Sequence, residues 1–140
     1  MALAPGGTAP VVIPYALTQL AEGIALNGTT TSAQVLFTAP NGVKATPMYL
    51  VFRNASATVN ASATVSAGNS NNSATAYLSS STVLQSMLTS TGSIFVPCFG
   101  STVATATAPV TGGSTMTITL GGTLSLTGQI VCDVLGYVQF

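Results

Sequence analysis

The sequence predicts an all-β protein: an antiparallel β-sandwich, jelly-roll or immunoglobulin-like, with an extended N-terminal arm and at most one short helix near residues 81–89. Three observations carry this reading. Apolar residues alternate with Thr, Ser and Asn over several short runs, the period of a strand with one buried face. Turn signals such as Asn27-Gly28, Pro40-Asn41-Gly42 and Gly121-Gly122 separate those runs. No repeat of fixed period is present, which argues against a solenoid. At 140 residues the chain suits one domain able to bury a core without metals or disulfides.

The chain divides into an arm, residues 1–14, and a sandwich, residues 15–140. The arm, MALAPGGTAPVVIP, holds three of the seven prolines. Proline fixes φ and removes a ladder donor, so the segment reads as extended and suited to lie on a neighbouring subunit. Residues 15–26 fit a strand better than a helix, because Asn27-Gly28 then joins them as a hairpin to Thr30–Thr38. Met48-Tyr49-Leu50-Val51-Phe52 is the longest apolar and aromatic run. It is followed by Arg53-Asn54 and by strict alternation of Val59, Ala61, Ala63 and Val65 with Asn60, Ser62, Thr64 and Ser66. This stretch predicts a central hairpin whose second strand has a wet face. Gly68–Ser73 reads as an exposed loop, and Ser79–Leu88 as hydroxyl caps leading into one or two helical turns. Ser93–Phe99 is a strand that Pro97 places at an edge or bulge. Thr102–Ala108 is a weak strand or a loop. Ser114–Leu120 alternates Met116, Ile118 and Leu120 with threonines, and Gly121-Gly122 turns it into Thr123–Thr127. Gln129–Phe140 is apolar on both faces and so belongs at the centre of a sheet or at a subunit contact.

Charge excludes more than it suggests. Glu22, Lys44, Arg53 and Asp133 are the only charged side chains, and there is no histidine. Two cations cannot neutralise a nucleic-acid backbone. No apolar run approaches the ~20 residues of a spanning helix, and residues 1–14 lack the pattern of a secretory signal. The expectation is a product of the cytoplasm that binds neither nucleic acid nor membrane. Ser and Thr make 37 of the residues, and a neutral surface of hydroxyls is poorly protected against association. It is better suited to being covered in an assembly.

Without histidine no Ser-His-Asp or Cys-His arrangement exists, and Glu22 and Asp133 show no sign of sharing a cleft, so no enzyme and no cofactor are expected. Those two carboxylates are natural partners for Lys44 or Arg53. Cys98 and Cys132, without histidine or CxxC spacing, make no zinc site and are expected as buried free thiols. Four Asn-X-Ser/Thr matches, beginning at Asn27, Asn54, Asn60 and Asn71, are expected in so hydroxyl-rich a chain. The threonine ladder Thr115, Thr117 and Thr119 reads as an ordinary strand face. Candidate inter-subunit contacts are Pro5, Pro10, Val12, Pro14 and Tyr15 in and beside the arm, Arg53, the polar row Asn60, Ser62 and Thr64, and the terminal Phe140.

The segment YLVFRNASATVNASATVSAG, supported by the arm and the last strand, resembles an element of tailed-bacteriophage head decoration (cement) proteins and related small virion structural proteins. That resemblance implies a trimer or other homo-oligomer on the capsid exterior, bridging major capsid subunits without enzymatic activity. Its partners would be the major capsid protein and copies of itself. No family motif assigns site residues. The alternatives are a host-surface or glycan-binding adhesin or fibre module, another self-assembling capsid or tail subunit, or an ice-binding sheet.

Overall fold

The computed structural model describes residues 17–56, 63–70, 75–83, 92–98, 109–121 and 129–140. Among these residues nine strands are formed: β1 (Thr18–Asn27), β2 (Gln34–Thr38), β3 (Lys44–Arg53), β4 (Thr64–Asn69), β5 (Leu78–Val83), β6 (Ser93–Pro97), β7 (Val110–Thr111), β8 (Thr115–Gly121) and β9 (Gln129–Gln139). One sheet has the order β1-β9-β3-β6, with the two-residue β7 also on β3. The other has the order β2-β8-β4-β5. Every pairing is antiparallel.

Setting β7 aside, the eight strands alternate between sheets in the order of a jelly roll, which settles the choice left open by the sequence. Within this order β4 and β5 are consecutive strands that pair directly, whereas most connections cross from one sheet to the other. The core is the inward parity of both sheets: Leu50 and Phe52 on β3, Val65 and Ala67 on β4, Met116, Ile118 and Leu120 on β8, and Ile130, Cys132 and Val134 on β9, all fully buried. Alternation read locally thus identified the buried face of β8 correctly, and β9, apolar on both faces, lies centrally as expected.

Two predicted hairpins do not form. β1 and β2 belong to different sheets, as do β3 and β4. After Arg53 the chain turns at Asn54, in the left-handed region at φ 52°, which asparagine tolerates better than most residues. The chain then crosses the sandwich instead of reversing beside β3. Both flanks of β3 are taken, by β9 on one side and β6 on the other, so β4 has no place there. At Asn27 the Gln34 side-chain amide substitutes for a ladder partner. Its Oε1 accepts from the Asn27 N–H at 2.8 Å and its Nε2 donates to the Asn27 carbonyl at 3.1 Å. The Asn27 side chain meanwhile accepts from Thr29, and residues 28–33 carry the chain across. Residues 81–83 continue β5 rather than opening a helix. The rest of that predicted helix, the arm, and residues 101–108 and 122–128 lie outside the described residues.

Candidate functional site

The outer face of the β1-β9-β3-β6 sheet holds the one ion pair among the described residues. Arg53, at the end of β3, and Asp133, on β9, point outward because their neighbours Phe52, Cys132 and Val134 point in. Arg53 Nε donates to Asp133 Oδ2 at 2.7 Å and Nη2 to Oδ1 at 3.1 Å. Oδ1 also accepts from the Gly23 N–H at 2.7 Å. Gly23 lies at φ +65° in an irregularity of β1 between Ala21 and Ile24, a conformation that suits glycine. The carboxylate therefore clips three adjacent strands together. Hydrogen bonding from Arg53, more than opposing burial, holds the Asp133 carboxyl below the usual carboxylate range. The guanidinium in turn is held further toward its charged form by Asp133. Arg53, a candidate inter-subunit contact, is paired with Asp133 within its own chain, as the pairing of carboxylates with Lys44 or Arg53 anticipated.

The same face carries an apolar patch. Tyr49 stands opposite Leu135 on one side and Pro97 on the other, with Val51 opposite Phe95. Phe95 is 63 % exposed, on a strand that pairs with β3 alone. The sequence reading did not single out Phe95, although its place between Ile94 and Val96 puts it on the outward parity of β6.

A second feature is an apolar groove of about 370 Å³ at one end of the sandwich. Its walls include Thr18 and Leu20 of β1, Phe37 of β2, Val43, and Val138 and Phe140 at the end of the chain. No charged side chain lines it. Phe140 is wholly exposed, and Leu17, just before β1, is half-exposed. Phe140, a candidate inter-subunit contact, thus lies at the rim of the groove. Thr64, by contrast, sits half-buried on β4 between β5 and β8, and Ser66 beside it is only 9 % exposed. Of the wet face expected there, the described Thr64 and Ser66 are partly or largely covered within the chain, because small side chains on an interior strand lie low between their neighbours. Pro5, Pro10, Val12, Pro14, Tyr15, Asn60 and Ser62 lie outside the described residues.

The interior offers little chemistry. Cys98 and Cys132 are both free and buried, as expected, and burial pushes both thiols up, Cys98 to about 12. Asn69 Nδ2 donates to the buried Tyr77 hydroxyl at 2.9 Å. Among the described residues no three of His, Cys, Asp and Glu converge as a metal site would require, and no helix is long and apolar enough to cross a membrane.

No family model matches the chain, and no curated protein matches it. A solved structure does. A chain of the cyanophage Pam1 capsid asymmetric unit superimposes with a TM-score of 0.51 at 23 % identity, over 86 % of this chain and 84 % of that one. The two share a fold. The shared part spans both sheets, and the near-equal coverage makes the Pam1 chain similar in length to this one. The likeness is architectural, and no residue role passes through it.

Proposed function

We propose that the protein is a non-enzymatic structural component of a phage virion, which decorates the outside of the capsid and bridges major capsid subunits. The observation that carries this reading is the fold shared, over nearly the whole of both chains, with a chain of the Pam1 capsid asymmetric unit. The surface supports it as well. Tyr49 and Phe95 on the outer sheet face, and Phe140 beside the groove, are exposed apolar side chains on a chain with four charges. Such a surface buries hydroxyls, backbone and aromatic rings without desolvating ions.

The mechanism is mass action. A protein that binds the closed capsid and not its opened fragments shifts the equilibrium toward the closed shell. Contacts of ordinary size, about 800 Å² per partner, suffice when one molecule touches several subunits at once. The test mixes the purified protein with heads of its own phage that lack it. Saturable binding seen as exterior density by electron microscopy, with a rise in the temperature at which DNA escapes, is the expected result. Heads that neither bind the protein nor gain heat resistance refute the reading.

A further inference from the structure

We propose that the groove at the Thr18–Phe140 end is the receptor for the N-terminal arm of a second copy of this chain, with Val11-Val12-Ile13 of that arm filling it. Sixteen residues precede Leu17, and the segment Ala9–Ala16, APVVIPYA, is apolar and without charge. The groove matches it, being uncharged and walled by Leu20, Phe37, Val43 and Val138. Pro10 and Pro14 bracket three aliphatic side chains and bias the residues before them toward extended backbone, the form in which a peptide lies along a cleft.

Strand direction chooses between the chain's own arm and another's. β1 begins at the groove, with Thr18 opposite Gly136, while β9 runs on through Val138 and Gln139 to Phe140. A chain that continues the line of β1 back beyond Leu17 runs beside this end of β9 and away from the Leu20 and Phe37 walls. Filling its own groove would require it to double back within the few residues between Ile13 and Thr18. Reach is no obstacle to the alternative, since sixteen extended residues span roughly 50 Å, against a radius of gyration of about 14 Å for a domain this size. Exchange of a terminal element between identical protomers is a low-cost route to an oligomer.

The test uses the full chain in two differently tagged forms, one carrying Val12→Cys and the other Thr38→Cys, an exposed position on the groove wall. Cys98 and Cys132 are buried and do not compete. Mild oxidation of the mixture is expected to give a disulfide-linked species bearing both tags. In a chain carrying both substitutions, a bond formed only within one chain overturns the proposal in favour of the chain's own arm. The absence of any bond overturns it in favour of a foreign occupant. As a second measurement, Val12→Asp with Ile13→Asp is expected to lower the mass in solution while leaving the β-sheet circular dichroism unchanged, and an unchanged mass also refutes the exchange. All of these readouts use isolated protein. A chain that exchanges arms but ignores capsids therefore defeats the virion reading alone, and one that coats capsids without exchange defeats this inference alone.

Discussion

Gly136 is where a single added carbon does the most damage. It faces Thr18 on one side and Pro47 on the other, at the irregularity where β3 shifts register against β9 between Pro47 and Tyr49. A Cβ at Gly136 would be driven into the Thr46 carbonyl oxygen, with Pro47 Cα at 3.0 Å and Leu20 Cδ1 at 2.7 Å. Two of these three are backbone atoms of β3 and cannot rotate away. Overpacking a core costs about 1–3 kcal/mol, and an immovable clash belongs at the upper end, near 3 kcal/mol. The loss of unfolded-state freedom from Gly to Ala returns about 0.5–1 kcal/mol, so Gly136→Ala is expected to cost about 2–3 kcal/mol. For a chain of this length that is a fall of roughly 10 °C in Tm. Two controls calibrate the number. At Gly121 a Cβ meets only the Thr64 Oγ1, at 2.7 Å and at the end of a rotatable side chain, so Gly121→Ala stays within about 1 kcal/mol. Gly23 has open space but φ +65°, so its alanine is expected to cost about 1 kcal/mol. Equilibrium unfolding in urea ranks the three variants. Gly136→Ala no less stable than Gly121→Ala would refute the close approach of β9 to β3.

Three further outcomes test the interior and the ion clip. Because its pairing lowers the Asp133 pKa, the carboxylate adds stability that is fully present above the unfolded value near 3.8 and is lost as pH falls through the folded value below it. The urea midpoint of the wild type should therefore drop on acidification below about pH 4 more steeply than that of Asp133→Asn, and parallel curves would sink the clip. With both thiols buried and pushed up, the folded protein at pH 8 is expected to react with a thiol reagent only over hours, and two thiols at once in denaturant; fast labelling of folded protein contradicts the core placement. Tyr77→Phe removes the hydrogen bond that Asn69 Nδ2 donates to the hydroxyl in a buried setting and is expected to cost about 0.5–1.5 kcal/mol in the same unfolding assay, a neutral result arguing against the pair.

Strand identity was legible residue by residue wherever a period of two was strict. Met116, Ile118 and Leu120 announced the inner face of β8, because alternation is a local property of extended backbone, whereas β9, apolar on both faces, announced only its central place, and packing chose Ile130, Cys132 and Val134 as its inner parity. Pro97 likewise marked β6 as an edge. Partner choice was not legible. Tyr49–Phe52 and Val59–Ala67 look like a hairpin because they are adjacent in sequence, yet β3 takes β9 and β6 as its neighbours. With four charges and no opposed charge pattern along the strands, nothing local distinguishes a turn that reverses within a sheet from one that crosses to the other. The candidate surfaces divide in the same way. Phe140 stood out as a candidate from its terminal place and its apolar ring. The groove beside it is assembled from β1, β2 and the end of β9, and only packing brings these together.

By itself, then, the sequence determined an all-β sandwich, nearly devoid of charge and short of catalytic groups, with its strictly alternating strands set by backbone geometry acting over neighbouring residues. The tertiary structure alone decided that the sandwich is a jelly roll, that Arg53 clips Asp133 from 80 residues away, and that Gly136 must remain bare. Each of these is a contact between distant segments, whose energy exists only once two sheets have closed on a common core.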